Sequence, residues 1–214
     1  MLQNLSDNNS ILSQFVSEIR DIDIQKDRMR FRTNVERIGE IMAYEISKLL
    51  SFENKEIQTP LAKHQSKILA EQPVIASILR AGLPMHQGFL NYFDKADCAF
   101  LSAFRKHISE TEFEIELGYL VSPSIENKVL ILIDPMLATG RSMFSAYQSF
   151  LKNGNPKKVF VASLISSQQG IEFIQQKMPE AHIFAAAIDP ELNSYSYIVP
   201  GLGDAGDLSF GEKL

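Results

Sequence analysis

The sequence predicts an α/β fold, a doubly wound and mostly parallel sheet with helices on both faces. Two observations carry that expectation. From about residue 73 onward, short β-rich runs alternate with segments of helical period. The runs Val74–Leu79 and Val129–Ile133 are almost wholly apolar, as strands buried on both faces must be.

Before that alternation, Phe31, Val35, Ile38, Met42, Ile46 and Leu49 recur at steps of three or four. This spacing predicts an amphipathic helix within an N-terminal helical region of about residues 1–60. After the strand Val74–Leu79, Pro84 suits the first turn of a helix, where its missing N–H is not needed. Cys98–Phe104 and Val129–Ile133 read as further buried strands, and Ser142–Leu151 as a helix closed by Gly154. Lys158–Ile165 is a predicted strand, Gly170–Lys177 a helix and Ala181–Ile188 a last strand. One segment departs from the pattern: from Thr111 to Leu117, acidic and apolar residues alternate strictly, which predicts a half-exposed strand. It is expected as an antiparallel β-arm over about 105–125, outside the main sheet. An edge hairpin, a dimer contact or a cover for the site would all use such a strand. No repeat or low-complexity linker divides residues 1–214, so one domain is expected.

Bulk properties narrow the function. Of the 214 residues 45% are hydrophobic and 22% charged, an ordinary globular balance, and the formal net charge is −5. That charge repels nucleic acid and anionic lipid, so neither is an expected partner. A lone Cys98 cannot form an internal disulfide, and it lies in an apolar run as a small core residue would. The polar first twenty residues do not form a signal peptide, and no apolar stretch is long enough for a bilayer. Cytoplasm is the expected location. His64, His86, His107 and His182 lack the spacing of metal ligands.

Three motifs carry chemistry. In the first, the strand Val129–Ile133 runs into Asp134, Pro135, Met136, Leu137, Ala138, Thr139, Gly140, Arg141 and Ser142, where a helix starts. Ligands of open α/β sheets bind just past the carboxyl ends of strands. Hydroxyls and N–H groups at a helix N-terminus favour a phosphate, and a carboxylate beside them can accept from both hydroxyls of a ribose. The combination describes a ribose-5-phosphate site. In the second, Arg80, Ala81 and Gly82 follow another strand: two small residues let the backbone approach a pyrophosphate, and Arg80 adds a charged fork. The third runs from Tyr197 to Asp207 as Tyr-Ile-Val-Pro-Gly-Leu-Gly-Asp-Ala-Gly-Asp. Gly201–Gly206 formally fits G-x-G-x-x-G, but eight residues are too few for the helix and second strand that a dinucleotide site requires. A glycine-rich loop of this kind can instead wrap a planar base and read its edges with backbone groups.

These residues together resemble the type I phosphoribosyltransferases, and within them the uracil phosphoribosyltransferases. Those enzymes have a single Asp followed by Pro-Met-Leu-Ala-Thr-Gly, as at Asp134–Gly140. The resemblance implies an enzyme that joins uracil to 5-phosphoribosyl-1-pyrophosphate (PRPP), giving UMP and pyrophosphate. It implies a PRPP site of Arg80–Gly82, Arg105, Asp134–Ser142 and Asp204, and a base-binding loop over about 197–207 with Ile198, Gly203, Asp204 and Ala205 at uracil. The catalytic set is then Arg80, Arg105, Asp134 and Asp204. A non-proline cis peptide bond is implied around Arg80 and Ala81. Mg²⁺ is implied as cofactor, carried mainly by the substrate with no protein-only metal site, and a homodimer or homotetramer as the assembly.

The chain departs from the family in places. Arg141 stands where a second glycine is usual, and an early helical position would tolerate it. Pro84 and Leu208 also replace usual residues, and the arm after Arg105 keeps little of the family sequence. Purine phosphoribosyltransferases would share the phosphate loop without the Asp-Pro pair or the C-terminal glycine loop. A non-catalytic or RNA-binding regulatory relative of the same fold is the alternative, and the RNA-binding form would need a basic face.

Overall fold

The computed structural model describes residues 1–107 and 113–212, leaving aside the side chains of 103–107 and 113–117. In chain order the strands are β1 (Leu2–Asn4), β2 (Phe52–Gln58), β3 (Lys63–Leu69), β4 (Val74–Leu79), β5 (Asp97–His107) and β6 (Phe113–Val121). They continue as β7 (Val129–Ile133), β8 (Met136–Leu137), β9 (Lys158–Ser167), β10 (His182–Asp189), β11 (Glu191–Leu192) and β12 (Ile198–Val199). The helices are α1 (Ile11–Arg20), α2 (Arg28–Ser47), α3 (Leu83–Leu90), α4 (Arg141–Phe150), α5 (Gln168–Lys177) and α6 (Ala205–Phe210).

Eight strands form the main sheet in the order β1–β10–β9–β7–β4–β5–β6, with β8 paired to β9. All its pairings are parallel except β5 with β6. Alternate residues of each strand serve opposite faces. Ile75, Ile131, Ile133, Phe160, Ala162 and Phe184 pack with residues of α1, α2, α3 and α6. Val74, Ala76, Leu130, Leu132, Val159 and Val161 pack with residues of α4 and α5. Both faces of the central strands are therefore dry, which is why those strands read as continuous apolar runs.

Asp27 begins α2 by accepting hydrogen bonds from the N–H groups of Met29 and Arg30. The predicted stripe from Phe31 to Ile46 is buried along α2, and Leu49 lies just past its end but still packs on the core. The buried Glu18 fastens α1 to α2 by accepting from Arg30 Nε at 2.7 Å, Arg30 Nη2 at 2.9 Å and Asn34 Nδ2 at 2.7 Å. Gln14 Nε2 adds a fourth bond at 2.9 Å. The Arg30 bond is the largest of the causes that hold the Glu18 carboxyl down at about 2.

Three features differ from the sequence expectation. The predicted arm is β6, and it continues the main sheet as an antiparallel edge beside β5, from Phe100↔Val121 to His107↔Phe113, rather than lying outside it. Pairing there satisfies backbone groups along β5 that would otherwise form an open edge. Thr111 and Glu112 of that arm fall outside the described residues. The β2–β3 hairpin occupies Phe52–Leu69 as its own two-stranded sheet, overlapping the stretch read as helical to about residue 60. Finally, β1 adds a parallel edge to β10 from a polar Leu-Gln-Asn stretch that carries no strand signal. No helix among the described residues is long and apolar enough to cross a membrane.

Candidate active site at the sheet's switch point

Parallel strands β4 and β7 are neighbours, with Ser77 level with Ile133. From β4 the chain passes through α3 to β5 on one side, and from β7 through α4 to β9 on the other. Departure in opposite directions opens a crevice at the carboxyl ends of the two strands. The Arg80 loop and the Asp134 loop therefore stand side by side at its mouth.

Asp134 follows β7 directly; its N–H donates to Ala162 O at 3.2 Å and its Oδ1 accepts from Met136 N–H at 3.3 Å. Met136 and Leu137 then pair with Ile165 and Ser166 of β9, and Pro135 O accepts from the N–H groups of Leu164 and Ile165 at 3.0 Å each. Ser167 Oγ donates to Ala138 O at 2.5 Å and accepts from Gly170 N–H at 2.9 Å, so one hydroxyl ties the loop to the start of α5. Only glycine fits at position 170, because a Cβ there would run into Ala138 O and stand 2.6 Å from Leu137 O. Gly140 has φ +74° and ends the loop as the N-cap of α4, itself offering no side chain to cap the first-turn N–H groups. Those donors and the helix dipole suit an anion beside Thr139 and Ser142. Thr139 Oγ1 accepts from Arg141 N–H at 3.4 Å. Arg141 is itself the first residue of α4 and exposed, so it occupies the early helical position that tolerates a side chain.

The peptide bond between Leu79 and Arg80 is cis, within the stretch where the resemblance implied one. Gly82 N–H donates to Ile78 O at 3.0 Å, and a Cβ at Gly82 would stand 2.7 Å from that oxygen. The exposed Arg80 guanidinium reaches the C-terminal helix, with Nη2 3.2 Å from Asp207 Oδ1 and 3.1 Å from Gly211 O. Arg32 Nη1 donates to Ser209 O at 2.7 Å, so two arginines cap the end of α6. Behind this loop His86 is buried, its Nδ1 2.7 Å from Ser77 Oγ and its ring centroid 4.8 Å from that of Phe100. Burial pushes the imidazole down to about 4, so it stays neutral and adds no charge near physiological pH.

The third motif closes the same end of the sheet. Ile198 pairs with Leu192 in the β11–β12 hairpin and is buried, so its side chain belongs to the core. Gly203 is exposed, and a Cβ there would meet no atom within 4 Å: the loop faces open space at this point. Asp204 caps α6, its Oδ1 accepting from Gly206 N–H at 2.8 Å and Asp207 N–H at 3.0 Å. Ala205 is buried, and a Cβ on Gly206 would lie 3.9 Å from Ala81 Cβ, so this loop sits against the Arg80 loop. Arg105 lies in β5 level with Ile115, and its side chain is outside the described residues. Two supports of these loops are not evident in the sequence: Ser167 carries no local signal, and Asp207 stands there only as the end of a glycine motif.

This geometry agrees with the comparisons to known proteins. The family model described as uracil phosphoribosyltransferase matches residues 6–212. A uracil phosphoribosyltransferase of Porphyromonas gingivalis is 52% identical over 212 residues, covering 99% of this chain and 98% of that protein. The one of Pyrococcus furiosus is 37% identical over 206 residues, covering 95% of this chain and 87% of its own. Among solved structures, the AQ2163 protein of Aquifex aeolicus superposes with a TM-score of 0.87 at 31% identity, covering 99% and 98% of the two chains. A hypoxanthine phosphoribosyltransferase of Staphylococcus aureus shares the fold alone, with a TM-score of 0.51 at 15% identity over 86% of this chain and 83% of that one. A family match of this extent, on a chain whose three loops meet at one switch point, makes this protein a member of the uracil phosphoribosyltransferase family.

Proposed function

We propose that the chain transfers the phosphoribosyl group of PRPP to N1 of uracil, forming UMP and pyrophosphate. The observation that carries this reading is the family match over residues 6–212, joined to an Asp134–Ser142 loop at the switch point. In the proposed reaction the bond from the anomeric carbon to pyrophosphate breaks as the bond to uracil N1 forms, and the N1 proton leaves to solvent. A transition state with oxocarbenium character demands positioning and charge compensation more than a strong nucleophile.

Each loop supplies one of those needs. Asp134 accepts from the ribose hydroxyls, while Ala138–Ser142 hold the 5-phosphate at the N-terminus of α4. Arg80 and Arg105 compensate the charge that grows on pyrophosphate, with Ala81 and Gly82 allowing the backbone close. The backbone around Gly203–Ala205 and at Ile198 reads the oxygens and the imide N–H of uracil. Asp204, whose Oδ1 caps α6, stands between the base and the donor. Among the described residues, no group of three or more His, Cys, Asp or Glu could hold a metal ion. Mg²⁺, which the family resemblance implies, would be carried mainly by the substrate and would supply further charge compensation. The exposed β2–β3 hairpin, with Phe52 and Ile57 open to solvent, supports a homodimer or homotetramer as the working form, and the cytoplasm is its proposed location.

Conversion of labelled uracil to UMP with PRPP and Mg²⁺, run beside cytosine, hypoxanthine and orotate, tests the reading. Product from uracil alone is expected. Product from another base, or none from folded protein, would overturn it.

A further inference from the structure

We infer that Arg20 and Asp189 form a clamp that positions the base-binding loop and so sets the affinity for uracil without touching it; this rests on the base assignment proposed above. Asp189 ends β10 and is only 5% exposed. Arg20, in the last turn of α1, forks onto it with Nη1 2.8 Å from Oδ2 and Nη2 2.8 Å from Oδ1. The same pair takes both polar groups of one loop residue. Gly201 N–H donates to Asp189 Oδ2 at 2.8 Å, and Gly201 O accepts from Arg20 Nη1 at 2.9 Å.

A buried carboxylate needs such partners, because an ion pair out of water survives only with its remaining bonding capacity satisfied. The attachment of α1 to α2 does not require it, since Glu18 and Arg30 already provide that. The clamp therefore adds a fixed root for the loop. Two residues beyond it Gly203 faces open space, and the capped start of α6 holds the loop's far end. Loosening Gly201 shifts the backbone groups offered to the base, whereas Asp204 is held by its own cap on α6 and the Arg80 and Asp134 loops hang from β4 and β7. Arg20 and Asp189 are positioning residues.

The test compares Arg20→Lys with Arg30→Lys. Lysine keeps a positive charge beside each buried carboxylate but loses the fork, so both variants loosen α1 and only the first loosens the loop. Arg20→Lys is expected to raise KM for uracil about tenfold while KM for PRPP changes less than about twofold. Arg30→Lys should leave both constants near wild type. Should Arg20→Lys not fold, Arg20→Met paired with Asp189→Leu leaves no unpaired charge and is expected to show the same selective rise. Uracil and PRPP constants moving together, equal effects of both lysine variants, or an unmoved uracil KM would overturn the clamp. Wild-type protein assayed alongside separates the two readings: no UMP from it removes the base assignment and the clamp with it, whereas normal wild-type turnover isolates a failure of the clamp alone.

Discussion

In the proposed reaction Asp134 is the side chain on which the chemistry depends most, and a single substitution tests it. It follows β7 in the crevice, and its Oδ1 accepts from Met136 N–H at 3.3 Å within its own loop. Asp134→Asn keeps the shape and that bond but loses the charge offered to the ribose hydroxyls. Turnover should fall about 100-fold or more with the melting temperature nearly unchanged, read by steady-state kinetics beside a thermal melt. Near wild-type turnover would take Asp134 out of the site. Arg141 illustrates the opposite case, a conspicuous departure with a benign setting. Positive φ is confined to Gly140, one residue earlier, so the arginine starts α4 in ordinary helical geometry and leaves its charge near the anion position.

At the scale of elements, the phosphate loop is shaped less by its own sequence than by the start of α5. Ser167 bridges Ala138 O and Gly170 N–H, and Gly170 leaves room for the carbonyls of Leu137 and Ala138. Gly170→Ala forces that loop outward. The expected result is a loss of about 1–3 kcal/mol in urea unfolding, an overpacking cost. A rise in KM for PRPP larger than that for uracil should accompany it. Unchanged donor KM with reduced stability would mean that the loop moves without consequence for phosphate binding. On the other side of the crevice, α6 is tied to the Arg80 loop by the Arg80–Asp207 pair, and its last carbonyls by Arg32 and Arg80. The Arg80 loop and the glycine-rich loop that leads into α6 therefore share one support.

The whole molecule should lose stability in acid in two successive windows. His86 titrates at about 4 in the fold against 6.5 ordinarily, so between those values the unfolded chain binds a proton that the folded chain refuses. Stability therefore falls as pH drops from 6.5 towards 4. Glu18 is held at about 2 against 4.5, so its contribution is whole above 4.5 and is lost as pH falls through that range. Melting temperatures taken from pH 7 to 2.5 should decline throughout. His86→Asn should flatten the upper part and Glu18→Gln the lower. An upper slope that survives His86→Asn would assign it to other groups.

The sequence by itself determined the α/β class, most of the sheet's central strands, the loops that follow β4 and β7, and the glycine-rich loop near residue 203. Those features are local: apolar runs mark strands dry on both faces, and a strand followed by a phosphate-binding turn spans only about a dozen residues. Tertiary structure decided what depends on partners far along the chain. Arg20 meets Asp189 across 169 positions and Gly201 across 181, and Arg80 meets Asp207 across 127. Alone, each reads as a surface charge or a turn. The edges of the sheet were less legible: β1 is polar and gains its conformation by pairing with β10, while β6, a strand by its alternation, takes its place in the main sheet because β5 presents an edge to it. Backbone hydrogen bonds to a neighbour, which no residue pattern encodes, place such strands.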